Sequence, residues 1–285
     1  MFAHTQASHR RHGPAAQALE ARLFLAAQPV ASVGGDEPGN LVQIPPVETT
    51  VTDRRLIYNN SAFDQYDSDP THDLGAVATD KRALLPGEGV AGFENLSSYT
   101  KGINGMLVQF FSLGQFPHDL GPDDFEFRIG TGGDPATWNL APAPTSVAVI
   151  PVPGPNQVYS LTWPDGAIRN TWLRATVKAN DHTGLAAPDV FYFGNLIGET
   201  GDGDFKTRAM PRITAIDLAT VKRALNTDAA KTSVVDFNRD GRVNALDMAA
   251  VRSNYNQNLP VLNATPSPIA SAATASLLDD GRPIL

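Results

Sequence analysis

Residues 236–247, DFNRDGRVNALD, set oxygen-bearing side chains at positions 1, 3, 5, 9 and 12 of a loop: Asp236, Asn238, Asp240, Asn244 and Asp247. Calcium takes six to eight oxygens at about 2.3–2.6 Å, and a chain wrapped around the ion presents them at such alternating places, with a backbone carbonyl at position 7, here Arg242. Gly241 at position 6 allows the sharp turn. Val243 at position 8 is where such a loop is expected to pair, by a short backbone bridge, with a second one. The residue set therefore predicts Ca2+ as cofactor and calls for a partner loop.

A shift of 30 residues finds part of that partner: Ile213 falls on Val243, Thr214 on Asn244, Asp217 on Asp247, Leu218 on Met248, Val221 on Val251 and Leu225 on Tyr255. The apolar positions 218, 221, 225 and 248, 251, 255 follow the spacing of an amphipathic helix behind each loop. Upstream the register fails, because Lys206, Arg208, Met210 and Pro211 stand where ligands and glycine should be. Two repairs are open. In one, Asn195 takes position 1 and Glu199 position 5, with about a dozen residues inserted before Arg212. In the other, Asp202 and Asp204 of GDGDF supply the carboxylates after a shorter insertion. The expected metal ligands are thus a strong site (Asp236, Asn238, Asp240, Arg242, Asn244, Asp247) and a degenerate one (Asn195, Glu199, Arg212, Thr214, Asp217).

Two features separate these loops from an EF-hand. Position 12 is the short Asp247 rather than a bidentate Glu, and the preceding TDAAKTSVV has no helical pattern. A loop followed by a helix, with Asp at 12 and Asn at 9, resembles the dockerin type I repeat. The resemblance implies two packed loop–helix units, two calcium ions, and docking onto a cohesin-like β-sandwich partner in extracellular or cell-surface assemblies linked to polysaccharide catabolism. Recognition in that family uses positions 10 and 11, here Ala215 with Ile216 and Ala245 with Leu246. The Ser-Thr pair of cellulosomal dockerins is missing, which leaves the chain's own β domain as an alternative partner. FYFGNLIGETG at the junction, with YNNSAFD, WPDGAIRNTWL and TGLAAPDVFYFGN before it, resembles the β domain and interrupted first loop of planctomycete dockerin proteins. LEARLFLA, residues 19–26, resembles the Leu-Glu-Pro-Arg-x-Leu-Leu export motif, with Ala21 in place of proline.

Ahead of the loops the pattern has period two. In DFEFRIG, Phe125, Phe127 and Ile129 alternate with Asp124, Glu126 and Arg128, the mark of a strand with one wet face. Similar runs at 54–59, 105–111, 145–152, 157–163, 168–179 and 189–193, separated by GTGGDP, VPGPN and WPDG turns, predict an antiparallel β-sandwich. The fold class is mainly β, followed by a small helical module. The expected divisions are a leader and linker over 1–51, the sandwich over 52–194, the calcium module over 195–258, and a disordered Pro/Ser/Ala-rich tail over 259–285.

A net charge of −8 argues against nucleic acid as partner, since phosphate binding needs clustered Lys and Arg. No stretch approaches the roughly 20 apolar residues of a membrane span. Zero cysteines remove disulfides and thiol chemistry. No nucleophile elbow, zinc helix or P-loop is present, so a non-catalytic protein is expected; were it an enzyme, hydrolysis of glycosyl bonds would be the chemistry. The acidic loop with Asp64, Asp67, Asp69 and Asp73, which Asp189 could join, is read as a solvated turn, a structural calcium site or a catalytic pair. Trp138, Trp163 and Trp172 are the candidate platforms for an alternative role, carbohydrate binding.

Overall fold

In the computed structural model, described over residues 49–112, 119–202 and 210–265, the alternating segments become strands. In chain order these are β1 (Thr50–Leu56), β2 (Gly89–Val90), β3 (Leu96–Ser97), β4 (Gly105–Phe111) and β5 (Phe125–Gly130). They continue with β6 (Asn139–Leu140), β7 (Ser146–Ile150), β8 (Asn156–Thr162), β9 (Thr171–Val177) and β10 (Asp189–Asn195). One sheet has the order β1-β4-β8-β7 and the other β3-β10-β9-β5-β6. All neighbours are antiparallel except β3 and β10. Two boundaries differ from the sequence pattern. The first strand starts before residue 54, and the long 168–179 segment narrows to β9 because WPDGAIRN forms a turn that ends at Asn170 in a left-handed conformation, φ +51°.

The inner faces of the two sheets make the main core. Phe110, Tyr159 and Leu161 from one sheet meet Phe127, Leu173, Val177, Phe191 and Phe193 from the other. Phe110 and Tyr159 stand edge to face with ring centres 5.6 Å apart, as do Phe127 and Trp163 at 5.0 Å.

The other side of β9 and β10 is not wet. Trp172 and Tyr192, on the face opposite Leu173 and Phe193, enter a second core with Ile213, Val221, Phe237, Val243, Val251 and Leu262. These come from the C-terminal segment, which forms α1 (Ala215–Ala224), β11 (Thr227–Asp228), β12 (Arg242–Val243), α2 (Ala245–Ser253) and β13 (Asn263–Ala264). The sandwich and this segment lie within one unit that begins at Pro46.

Two expectations are corrected here. Trp172 is only 1 % exposed, and its Nε1 donates to the Pro260 carbonyl at 2.8 Å. Trp138 and Trp163 are buried too, donating to the carbonyls of Gly132 and Pro142, so none of the three offers an open sugar platform. The chain from Leu259 is also packed at its start: Leu259, Leu262 and Ala264 are buried, and β13 pairs antiparallel with β2. Residues 266–285, the 1–48 leader with its 19–26 motif, and Asp204 lie outside the described residues.

Candidate calcium module

Each helix starts at the end of a loop, and both starts are built alike. Asn244 caps α2 by accepting from Leu246 N at 2.8 Å, and Thr214 caps α1 by accepting from Ile216 N at 3.1 Å. Three residues on, Asp247 accepts from Asn244 N at 2.9 Å, and Asp217 from Thr214 N at 2.8 Å. These are capping boxes in which aspartate takes the place of the usual Glu or Gln. The second carboxylate oxygen of each aspartate reaches back to its loop. Asp247 Oδ1 accepts from Phe237 N at 2.7 Å, and Asp217 Oδ1 from Thr200 N at 2.9 Å.

That last parallel sets the register of the first loop. Phe237 is position 2 of the intact loop, so Thr200 is position 2 of the first and Glu199 is position 1. The first carboxylate of each loop also accepts from a glycine, though from different places: Gly241 N, at position 6, donates to Asp236 Oδ2 at 3.0 Å, and Gly201 N, at position 3, to Glu199 Oε1 at 2.9 Å. Glu199 and Asp217 are 18 residues apart where Asp236 and Asp247 are 11 apart, so the first loop carries 7 extra residues. Glu199, Asp202 and Asp217 each place a carboxylate oxygen within 4.8 Å of the others, the one such acidic group found among the described residues. The two repairs left open by the sequence therefore meet: Glu199 from one and Asp202 from the other face the same aspartate. Asn195 does not stand at position 1. Its amide donates to the carbonyls of Ser97 and Tyr99 and its oxygen accepts from Asn170 N, which ties β10 to β3 and to the turn before β9.

In the intact loop the side chains turn inward onto one another. Asn238 and Asn244 both donate to Asp240 Oδ2, at 2.9 and 3.0 Å. Gly241 O and Val243 O accept from Ala229 N and Asn226 N, so strand alternation points the intervening Arg242 carbonyl back toward the loop. Asp236 is fully buried, and its Oδ1 has no hydrogen-bond partner. Burial pushes its carboxyl up to about 6, against the pull of the nearby Arg239 charge. Burial also raises Asp247. A buried carboxylate oxygen without a donor, in a set made only of oxygens, fits a hard divalent cation bound by Asp236, Asn238, Asp240, Asn244, Asp247 and the Arg242 carbonyl.

The expected bridge between the two loops takes another form. Val243 pairs with Thr227, just after α1, while Ile213 bonds with Asn256 and Gln257, just after α2. Arg212 bridges to Asn258. Each loop is thus closed by the chain leaving the opposite helix, so the two units hold one another.

The intact loop also grips the sandwich. Arg239, at position 4 with φ +54°, is only 1 % exposed and lies over the Tyr58 ring, 4.3 Å from its centre. Its guanidinium donates to Tyr58 Oη at 3.2 Å and to the Ser233 carbonyl. Ala62 N donates to the Arg239 carbonyl at 3.0 Å, and Thr100 N to that of Phe237 at 2.8 Å. By contrast Ala215, Ile216, Ala245 and Leu246 are exposed, Ile216 by 50 % and Leu246 by 62 %. They do not pack on the chain's own β domain.

The acidic loop of the sandwich holds no convergent metal group. Asp64 is buried and accepts from the backbone of Asn60, Ser61 and Tyr66. Asp67 pairs with His72, Asp69 accepts from Thr71, and Asp73 accepts from Ser160 Oγ at 2.5 Å. Asp189 is paired with Arg54 instead. No helix among the described residues is long and apolar enough to cross a membrane. No curated protein and no solved structure matches the chain. Residues 211–256, which run from the end of the first loop through α2, match the family model of the dockerin type I domain.

Proposed function

We propose that this is a secreted, non-catalytic protein that docks onto a cohesin-like partner in a calcium-dependent manner, at a cell surface where polysaccharide is broken down. Dockerin domains bind calcium and carry protein–protein docking of this kind. The observation that carries the reading here is the matched exposure of Ile216 and Leu246. These apolar side chains sit at the same position of two related helices and remain uncovered while Ile213, Val221, Val243 and Val251 of the same units are buried in the second core. Calcium would be held tightly by the 236–247 loop. It would be held more weakly by Glu199, Asp202 and Asp217 with Thr214 and the Arg212 carbonyl, where the loop is longer and lacks a glycine at its sixth place. The ion supplies the charge that lets two sets of buried carboxylates coexist, and so fixes the angle between the helices that present the docking residues.

The test is recovery of partners from the extracellular fraction of the source cells, with calcium or with a chelator. A single partner recovered with calcium, and lost both with chelator and with Ile216→Asp/Leu246→Asp, is the expected result. Equal recovery by the double variant would contradict it.

A further inference from the structure

A second feature has no part in docking. Between the 59–73 loop and strands β7 and β8 lies a cleft of ≈ 700 Å³, within the ordinary size of a ligand site. Strand alternation builds its floor. Tyr159 and Leu161 point into the sandwich core, so Ser160 and Thr162 point out, beside Ser146 of β7. One wall is Tyr66, a residue that is 55 % exposed. Gln65 and Tyr66 are consecutive non-glycine residues in the left-handed region, with φ +63° and +55°, and buried Asp64 holds them there through Tyr66 N. Conformations of this cost persist where the surroundings impose them, often at ligand clamps.

Each carboxylate that lines the cleft already has a partner in the chain. Asp165 accepts from the amides of Asn60 and Asn104, both at 2.8 Å, and pairs with Lys101 at 3.0 Å. Asp67 is held by His72 at 2.7 Å, and Asp73 by Ser160. No Lys or Arg lines the cleft, which disfavours phosphates and other anions. No carboxylate pair is left open for an ammonium group, and these acids form no metal group. What remains is a dense set of hydroxyls and amides with one aromatic face. A neutral ring with an apolar C–H face and hydroxyl edges fits both.

We propose that this cleft binds a neutral oligosaccharide, with one sugar ring stacked on Tyr66 and its hydroxyls bonded to Ser146, Thr162 and Asp73. The residues proposed to hold the sugar are distinct from Ile216 and Leu246, so separate variants tell a failure of docking from a failure of sugar binding. The test is calorimetric titration of the calcium-loaded protein with cellohexaose, xylohexaose and maltohexaose, alongside trigalacturonate and spermidine. At least one neutral hexaose binds at one per chain. Affinity falls about tenfold or more in Tyr66→Ala, which loses the stacked face, and in Ala148→Trp, which fills the cleft from β7. The Tyr66→Ala variant keeps the wild-type unfolding midpoint, because that residue is exposed. The proposal is overturned if no neutral hexaose binds at millimolar concentration, if spermidine or trigalacturonate binds instead, or if both variants bind like the wild type.

Discussion

Asp73 and Asp236 are buried carboxylates of different kinds. Asp73 faces a serine hydroxyl, and burial pushes its carboxyl up to about 6 despite that bond. A folded value above the 3.8 of the free group means the folded state holds the proton more tightly. Its contribution is therefore full below the unfolded value and is lost as pH rises from about 3.8 to about 6. Asp73→Asn, which keeps an acceptor for Ser160 without a charge, should raise stability at pH 7.5 by about 1–3 kcal/mol and leave it unchanged at pH 3.5. Urea unfolding at the two pH values checks this; a gain of equal size at both would point to packing instead. Asp236 has an oxygen with no donor, so its partner must come from outside the chain. Asp236→Ala should abolish the tighter of two calcium binding events in calorimetry, a loss beyond the roughly 10–100-fold that follows even from removing an outer partner of a metal ligand. Glu199→Ala should remove only the weaker one. Two equal events in the wild type would contradict the ranking.

The elements were legible in the sequence wherever one period ruled. Phe125 with Phe127, and the helical spacing of Leu218 with Val221 and of Met248 with Val251, are enough to place β5, α1 and α2, because each element buries a single side. Strand β9 was harder to read. Its second face carries Trp172, Arg174 and Thr176, which look wet, and the Pro260 carbonyl that Trp172 bonds lies 88 residues further along the chain. Local periodicity carries no information about a partner so distant. The first calcium loop was half legible for a related reason. Its end keeps the 30-residue repeat, but the 7 extra residues shift Glu199 out of register, and only the bond from Thr200 to Asp217 restores it. Trp172→Ala should accordingly cost about 3–5 kcal/mol, as a large core truncation does, whereas a lone exposed tryptophan would cost almost nothing. Trp172→Phe should recover most of the packing but forfeit the bond to Pro260, about 1 kcal/mol. Denaturant unfolding of the two variants separates these cases, and a loss under 1 kcal/mol for the alanine would show that the module covers the sheet only loosely.

At the scale of the molecule, the second core and Arg239 join the calcium loops to the sandwich. The helices have 10 and 9 residues, too short to persist alone in water, so their order rests on the ion and on the sheet they cover. Linkage then runs both ways. An ion that binds only the folded chain stabilises everything that unfolds with it, by about 4 kcal/mol at a thousandfold excess over Kd, or roughly 10 °C in Tm for a unit of this size. Calcium should thus slow amide exchange not only in α1 and α2 but also in β4 and β8, whose amides touch no part of the module. Arg239→Met keeps the stem over Tyr58 but removes the bonds to Tyr58 Oη and the Ser233 carbonyl. In that variant calcium should still protect the helices while its effect on β4 and β8 shrinks. Exchange in β4 and β8 that ignores calcium in the wild type would mean that the sandwich stands by itself and the loops govern only their own helices.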